Sequence, residues 1–422
     1  MRRRRYLAGL GAGGLAGLAG CTSLGGIGGG SGAGDSGDGG TAGTPSAATG
    51  DVVTGTPDGD PDTVNGVEVP VPDSALRRGA GKDAIPAIVD PEFGEDWSGV
   101  EVEVRSGFGG GGRTAEPRLA ESDRVIAVER GGEARAYPLR VLNWHEVVND
   151  VAEPRSAARR TPSDGGFGGP LLVTYCPLCG SGVTAVREVD GEATVFGVSG
   201  LLFRNALVMY DERTGSLWSQ IAAAAIQGEK VGTALELVPS ALTTWGEFRE
   251  RYPEGVVLRP PPESSTVTGR NSTRDYGRNP YAGYESSSDI GLGGSFDDER
   301  LHPKTTVVGV EHGGVSRAYP LDRVRKAGVV NDEVGGLPVV VAATESGTLV
   351  AYVREVDGQT LAFTRESEGF LAAGGSRWRL LGGRAVDGPY EGTRLDQANT
   401  VAGEFFFSWV NFHPDTEVWS GG

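Results

Sequence analysis

The chain has 422 residues and a formal net charge of −17, with 56 acidic and 39 basic side chains. A general nucleic-acid binder needs a basic face, so this composition excludes nucleic acid as a partner. Only four of the basic residues are lysine, and such an arginine-biased, carboxylate-rich chain is typical of halophilic archaea.

Residues 1–21 have the features of an export signal. Residues 2–5 are all arginine, a weakly apolar run follows, and Leu18-Ala19-Gly20 precedes Cys21. This order predicts a signal peptide, and the paired arginines favour the twin-arginine route. The apolar run is shorter than the roughly 20 residues of a membrane span. Because the segment before Cys21 resembles the lipobox of lipoproteins, we expect an acyl anchor on Cys21, in the lipid bilayer at the extracytoplasmic face of the cell membrane.

The next segment, residues 22–65, consists almost wholly of Gly, Ser, Thr, Asp, Ala and Pro. A segment of this composition cannot bury enough apolar surface to offset the entropy lost on ordering. We therefore expect a disordered tether that holds the folded part of the chain away from the membrane.

An internal duplication organises the rest of the chain. Residues 125–139 return in similar form at 307–321, and the Val-Val-Asn-Asp of 147–150 returns at 329–332, with the same offset of 182. An ordered repeat of this length indicates one structural unit used twice. The sequence thus predicts three segments: a first repeat unit at 83–262 (copy one), an insertion at 263–300, and a second, degenerate unit at 301–422 (copy two).

Each copy is predicted to consist mainly of strand hairpins. A Gly-Gly turn indicates a hairpin over Val125–Leu139, a short helix follows to about Val148, and a second hairpin turns at Asp190-Gly191. Hairpins with few crossover helices indicate antiparallel sheet, so we expect an α+β fold of mostly antiparallel β with short helices. The polar, tyrosine-bearing insertion is predicted to be a lid or binding loop, with a disordered connector as the alternative.

Comparison of the two copies singles out four residues. Copy one contains His145-Glu146 and a Cys-Pro-Leu-Cys run with Cys176 and Cys179. The corresponding positions of copy two hold Ala327, Gly328, Ala343 and Ser346. The flanking motifs persist in both copies, so the fold does not require these four side chains. Their joint loss predicts that they form one site in copy one.

Three interpretations of this site stay open. In a thiol–disulfide oxidoreductase, Cys176 and Cys179 would form a reversible disulfide, and a protonated His145 would favour the thiolate. Glu146 would orient His145 or supply a proton path. In a metal protein, Cys176, Cys179 and His145 would bind copper or zinc for capture or delivery. In a structural lipoprotein, the cysteines would form an inert disulfide. The first two imply an extracytoplasmic redox or metal partner.

Two weaker features concern the surroundings of the site and the surface. Ser219 and Gln220 of copy one are replaced in copy two by Arg379 and Leu380, which is compatible with a place beside the site. Asn271-Ser-Thr fits an acceptor for N-glycosylation in an exposed loop.

Several motifs of copy one occur in a characteristic order. They are Arg135-Ala-Tyr-Pro-Leu, Asn143-Trp-His-Glu, Thr174-Tyr-Cys-Pro-Leu-Cys-Gly-Ser, Phe196-Gly-Val-Ser-Gly and Ser216-Leu-Trp-Ser-Gln. From about Asp83 to its C-terminus the chain resembles the domain-of-unknown-function family 3179, which has no settled activity. Some relatives carry selenocysteine at the Cys-Pro-Leu-Cys position. The resemblance therefore implies redox chemistry at Cys176 or Cys179 rather than structural bracing.

Overall fold

Antiparallel hairpins make up most of the structure, which is a computed structural model. It describes residues 63–105, 112–130, 132–151, 169–269 and 272–421. The signal peptide, Cys21, the tether up to residue 62 and Asn271 lie outside the described residues. Within the described ranges, no helix is long and apolar enough to cross a membrane.

Six sheets of three to five strands form a six-bladed β-propeller. Copy two supplies three blades, and copy one supplies the other three together with two flanking strands, Leu76–Arg78 and Ser265–Thr266. In hydrogen-bonding order, blade 1 comprises Ser240–Thr244, Arg124–Arg130, Glu133–Pro138, Val256–Arg259 and Glu92–Gly94. Blade 2 comprises Ser181–Val186, Pro170–Cys176, Val147–Val151, Ile88–Asp90 and Ser265–Thr266. Blade 3 comprises Ala224–Gln227, Leu217–Ser219, Ala206–Asp211, Phe196–Phe203 and Leu76–Arg78.

The blades of copy two have fewer strands. Blade 4 comprises Glu404–Phe405, Thr306–His312, Val315–Pro320 and Glu417–Val418. Blade 5 comprises Leu349–Val353, Leu337–Ala343 and Val329–Val334, and blade 6 comprises Ser376–Arg379, Phe370–Ala373 and Thr364–Ser367. Two-stranded ribbons pair Thr63–Val64 with Val67–Glu68, Val102–Arg105 with Gly112–Ala115, Glu188–Val189 with Glu192–Ala193, and Glu355–Val356 with Gln359–Thr360.

Four α-helices of seven residues each complete the described elements. They are α1 (Leu139–His145), α2 (Trp245–Arg251), α3 (Leu321–Ala327) and α4 (Phe406–Phe412). The expected antiparallel sheet with short helices is confirmed, whereas the expected α+β arrangement is replaced by a propeller. Blades bury their sheet faces against neighbouring blades, so no helical layer is needed to cover them.

The motifs that persist in both copies join neighbouring blades. The Asn149 side chain accepts from the Phe196 N–H at 2.7 Å and donates to its carbonyl oxygen at 2.8 Å, which ties blade 2 to blade 3. Asn331 makes the same two bonds with Phe363, both at 2.8 Å. An Arg–Tyr–Asp network is likewise repeated: Arg135 and Tyr137 bind Asp150, and Arg317 and Tyr319 bind Asp332. Their persistence therefore has a structural cause.

The two copies contact each other mainly through edge strands of their blades. Ser181–Val186 of blade 2 contacts Ser240–Thr244 of blade 1 and Glu404–Phe405 of blade 4. Leu349–Val353 of blade 5 contacts Ser240–Thr244 and Thr306–His312. One strand of each copy, Ser181–Val186 in copy one and Leu349–Val353 in copy two, therefore contacts the other copy. In copy one, this strand follows directly after the cysteine motif.

Candidate functional site

The two cysteines lie in a tight turn, residues 176–181, which we call the cysteine turn. Cys176 ends one strand of blade 2, and its carbonyl oxygen accepts from the Cys179 N–H at 3.1 Å. Gly180 has a φ of +64°, and a Cβ at this position would come within 2.9 Å of the Phe405 ring. Both the backbone conformation and the lack of space require glycine here.

Backbone hydrogen bonds from copy two hold the cysteine turn in place. The Phe405 N–H donates to the Cys179 carbonyl oxygen at 2.8 Å, and the Ala402 N–H donates to the Gly182 carbonyl oxygen at 2.8 Å. Both donors belong to the segment that enters blade 4. The site therefore lies where the two copies meet, and it is not enclosed within copy one alone.

Gln220 braces the turn from copy one. Its Nε2 donates to the Ser181 carbonyl oxygen at 3.1 Å and to the Thr174 hydroxyl at 3.2 Å, while its Oε1 accepts from the Ser181 hydroxyl at 3.0 Å. The side chain is fully buried. Its replacement in copy two is thus explained by a place beside the cysteine turn.

Both cysteines are free thiols, with exposures of 2% for Cys176 and 0% for Cys179. Burial raises the pKa of Cys176, but hydrogen bonds from the Cys179 thiol and from backbone N–H groups of Leu207, Cys179 and Leu178 outweigh it and lower the pKa. Burial and donation to Cys176 raise the pKa of Cys179 well above its usual value. The single thiol hydrogen of Cys179 has a second acceptor in the Asn205 carbonyl oxygen, at 3.3 Å. The pair thus places thiolate character on Cys176 and the proton on Cys179.

Glu146 lies beside Cys176. Burial raises the pKa of the Glu146 carboxyl well above its usual range, and the nearby Cys176 raises it further. The residue follows α1 with a φ of 56°, whereas the equivalent residue of copy two is Gly328, with a φ of 79°. A carboxylic acid in a left-handed conformation that favours glycine is a strained feature, and such features cluster at functional sites.

His145 has other partners. Its Nδ1 lies 2.8 Å from the Pro86 carbonyl oxygen and its Nε2 lies 2.8 Å from the Tyr276 hydroxyl. A neutral ring satisfies both contacts by donating to the carbonyl and accepting from the hydroxyl. Burial lowers the pKa of His145 to about 4. The structure therefore brings Glu146 to the cysteines and uses His145 to bind Tyr276 of the insertion. A shared Cys/His centre stays a prediction.

The insertion packs over the cysteine turn. The Tyr284 hydroxyl donates to the Leu178 carbonyl oxygen at 2.9 Å, between the two cysteines, and accepts from the Gly291 N–H at 2.8 Å. Burial raises the pKa of Tyr281, and the nearby Glu146 and Cys176 act in the same direction. Two tyrosines of the insertion thus line the side of the site that copy one leaves uncovered.

Two functional candidates from copy two were missed in the sequence. Glu404 is 2% exposed, and Ser408, the third residue of α4, is fully buried. Burial raises the pKa of Glu404 to about 8, and Cys176 contributes in the same direction. Ser408 lies within reach of both Cys179 and Glu404, where it moderates the pKa shift of each. A carboxylate inside the apolar run Ala-Gly-Glu-Phe-Phe-Phe-Ser-Trp-Val was the signal that could have found them.

The two copies also meet at a second junction, between Leu349–Val353 and Ser240–Thr244, and its chemistry is different. There Glu247 of α2 accepts from the hydroxyls of Thr243, at 2.8 Å, and Thr348. Burial raises the pKa of Glu247, but these hydroxyls and those of Ser346 and Thr344 outweigh it and lower the pKa. The junction around Glu247 therefore contains an ionised carboxylate that accepts hydrogen bonds from hydroxyls. The junction around the cysteine turn contains two thiols beside the protonated carboxyl of Glu404.

The same geometry bears on metal binding by these residues. Among the described residues, no group of three or more His, Cys, Asp and Glu side chains is arranged to hold a metal ion. Both nitrogens of His145 are engaged elsewhere. The predicted three-ligand copper or zinc site of Cys176, Cys179 and His145 is therefore not assembled in this arrangement.

The sequence profile of a family described as "Protein of unknown function (DUF3179)" matches residues 82–416. The chain belongs to this family. The DUF3179 match spans both copies and the insertion, so Glu404 and Ser408 fall within the family domain together with the cysteine turn. Searches of the curated proteins and of the solved structures each return no match.

Proposed function

We propose that this DUF3179 protein carries out thiol–disulfide exchange, with Cys176 as the nucleophile and Cys179 as the resolving thiol. The observation that supports the proposal is that two free cysteines share one turn and that the Cys179 thiol has an acceptor in the Asn205 carbonyl oxygen at 3.3 Å, which favours the proton on Cys179. The directions of the two pKa shifts agree with this arrangement. A thiolate is the attacking species in such exchange. A pair in which one sulfur carries the charge and the other the proton has the division of roles that a two-step exchange needs.

The exchange has two steps. The Cys176 thiolate attacks one sulfur of a substrate disulfide, so that a mixed disulfide forms, the substrate S–S bond breaks, and the leaving thiolate takes up a proton. Cys179 then loses its proton and attacks the Cys176 sulfur, which releases the second substrate thiolate. Two electrons pass from the cysteine pair to the substrate, and a dithiol donor returns the pair to its reduced form by the reverse steps.

Access to Cys176 requires a local rearrangement, because its side chain is almost fully buried. The part of the insertion that carries Tyr281 and Tyr284 is the element that would move, since the Tyr284 hydroxyl holds it to the Leu178 carbonyl oxygen. We propose that this part of the insertion acts as the lid of the site. Glu146 stays protonated next to the attacking sulfur, and His145 anchors the base of the lid through Tyr276.

The assignment is tested with dipyridyl disulfide on the reduced, full-length chain at high salt. We expect the wild type to release two thiones and to form an internal disulfide. Cys179→Ser should release one thione and retain the mixed disulfide, which mass spectrometry detects, and Cys176→Ser should react slowly. Equal reactivity of the two single variants would overturn the assignment. A wild type whose thiols react only after unfolding would indicate an inert pair.

Metal binding by the cysteines is the alternative outcome of the same preparation. Near-stoichiometric copper or zinc in the wild type, lost in a Cys176→Ser/Cys179→Ser double variant, would replace the redox proposal with capture or delivery of metal. Two thiolates suit soft ions such as copper(I). Metal content is therefore measured before the thiols are titrated.

We further propose that the chain is exported and anchored by an acyl group on Cys21. The proposal rests on the arginine cluster, the short apolar run and the Leu-Ala-Gly-Cys sequence. Cys21→Ser should move the protein from the membrane fraction to the soluble fraction of its host, without altering the thiol titration of Cys176 and Cys179. An unchanged membrane fraction would contradict the anchor.

A further inference from the structure

The buried carboxyl of Glu404 is poorly hydrogen-bonded, although the Ser408 hydroxyl lies close enough to lower its pKa. Among the described residues, neither Glu404 oxygen nor the Ser408 hydroxyl makes a hydrogen bond of ordinary geometry. Buried polar groups are nearly always paired, and an exception calls for an explanation such as a catalytic role. The titratable groups that face Glu404 are Cys176 and Cys179.

Backbone contacts fix Glu404 against the resolving cysteine. The next residue, Phe405, donates its N–H to the Cys179 carbonyl oxygen at 2.8 Å. On its other side Glu404 pairs with Val307 in blade 4. With its strand held at both edges, the side chain keeps its place beside Cys179. Glu146 interacts with Cys176, whereas Glu404 interacts with both sulfurs, so Glu404 is the acid that also faces the resolving cysteine.

We infer that Glu404 of copy two is the group that takes the proton from Cys179 and delivers it to the departing substrate thiolate. The inference rests on the proposed thiol–disulfide exchange and identifies a residue on which that exchange depends. It also gives copy two a chemical role, in contrast to the degenerate scaffold expected from the sequence.

The protons balance over the two steps. Glu404 is protonated in the reduced protein, and it donates to the first leaving thiolate. The resulting carboxylate then accepts the proton of Cys179, whose thiolate attacks the mixed disulfide. Glu404 donates this proton to the second leaving thiolate. The two product thiols thus carry the protons that Glu404 and Cys179 held at the start, and the single negative charge passes from Cys176 to Glu404.

The test separates the two steps with dipyridyl disulfide. Its thione leaves without needing a proton from an acid, so the first release reports attack by Cys176 and the second reports deprotonation of Cys179. In Glu404→Gln we expect the first release to be unchanged and the second to slow by about 100-fold, the usual scale of general acid–base catalysis. The matched control is Glu247→Gln, the same change at the other junction, where both releases should stay at the wild-type rates.

The pH profile distinguishes proton transfer from a structural effect. The second release by the wild type should rise with pH as Glu404 ionises and then level off. In Glu404→Gln it should rise with hydroxide concentration throughout. Glu404→Asp keeps a carboxylate, so its rate of second thione release should still level off at high pH, with the midpoint of the rise at a different pH. This variant provides the test if Glu404→Gln does not fold. A wild-type profile in Glu404→Gln, or an unmoved midpoint in Glu404→Asp, overturns the inference and leaves the exchange proposal intact. A wild type that releases no second thione overturns the exchange itself.

Discussion

The protonated Glu404 carboxyl should make the stability of the protein depend on pH in a defined direction. An acid whose pKa is higher in the folded state favours folding at low pH, and this advantage is lost as pH rises from the unfolded towards the folded pKa. For Glu404 these values are 4.5 and about 8. Each pH unit between them costs the wild type about 1.4 kcal/mol. At pH 7 the cost is therefore about 3 kcal/mol.

Glu404→Gln removes this titration while keeping the size of the side chain. We expect the variant to match the wild type near pH 4.5 and to exceed its free energy of unfolding by about 3 kcal/mol at pH 7. Urea unfolding with reduced thiols, repeated across this pH range, measures the difference. A difference that does not change with pH would refute the reasoning, because it would show that Glu404 does not titrate between the two values.

Glu247→Gln provides a control of opposite sign. The pKa of Glu247 is lowered in the folded state because hydroxyls donate to its carboxylate. An acid of this kind stabilises the fold above its unfolded pKa, and the contribution is lost as pH falls through its folded pKa. The variant should therefore be less stable than the wild type at neutral pH, and the difference should shrink on acidification.

Three further predictions concern the cysteine turn, the backbone strain at the end of α3 and the insertion. Gly180→Ala should destabilise by about 2 kcal/mol in urea unfolding, because its Cβ would meet Phe405 at a left-handed φ. A Cβ at position 328 meets open space, so Gly328→Ala should lower the free energy of unfolding only by the backbone strain of about 1 kcal/mol. Urea unfolding measures this as well, and an unchanged free energy of unfolding would show that the backbone at position 328 is not strained. Tyr276→Phe removes the hydrogen bond to His145, and limited proteolysis within the insertion should become faster, with stability reduced by about 1 kcal/mol.

Local features of the fold could be predicted from the sequence, but its closure could not. The Asp190-Gly191 turn was predicted correctly, because both residues adopt the positive φ that such hairpins require. Strand alternation and turn residues give no information on which sheet faces meet. The ring of blades depends on pairing of Ser240–Thr244 with Arg124–Arg130, across more than a hundred residues. No local pattern encodes that pairing.

The same limit applies to the site. The cysteine turn was found because its residues are consecutive and absent from copy two. His145 was grouped with the cysteines because it is lost together with them, yet its partner Tyr276 belongs to an insertion that copy two also lacks. The absence of His145 and of the two cysteines from copy two therefore reflects two separate features of copy one, the cysteine turn and the contact between His145 and Tyr276. The comparison of the copies could not tell these features apart. Glu404 was overlooked because the comparison assigned the chemistry to one copy, whereas the structure places it at the junction of both.

The six blades contain a symmetry that bears on how the site arose. Within the described strands, each blade takes its strands from one side of the boundary between the copies. Two identical three-bladed subunits, related by a two-fold axis, would close the same ring and would contain the junction twice. Fusion of two such subunits into one polypeptide frees each junction to change separately. One now combines Glu247 with hydroxyls, and the other combines Glu404 with two thiols.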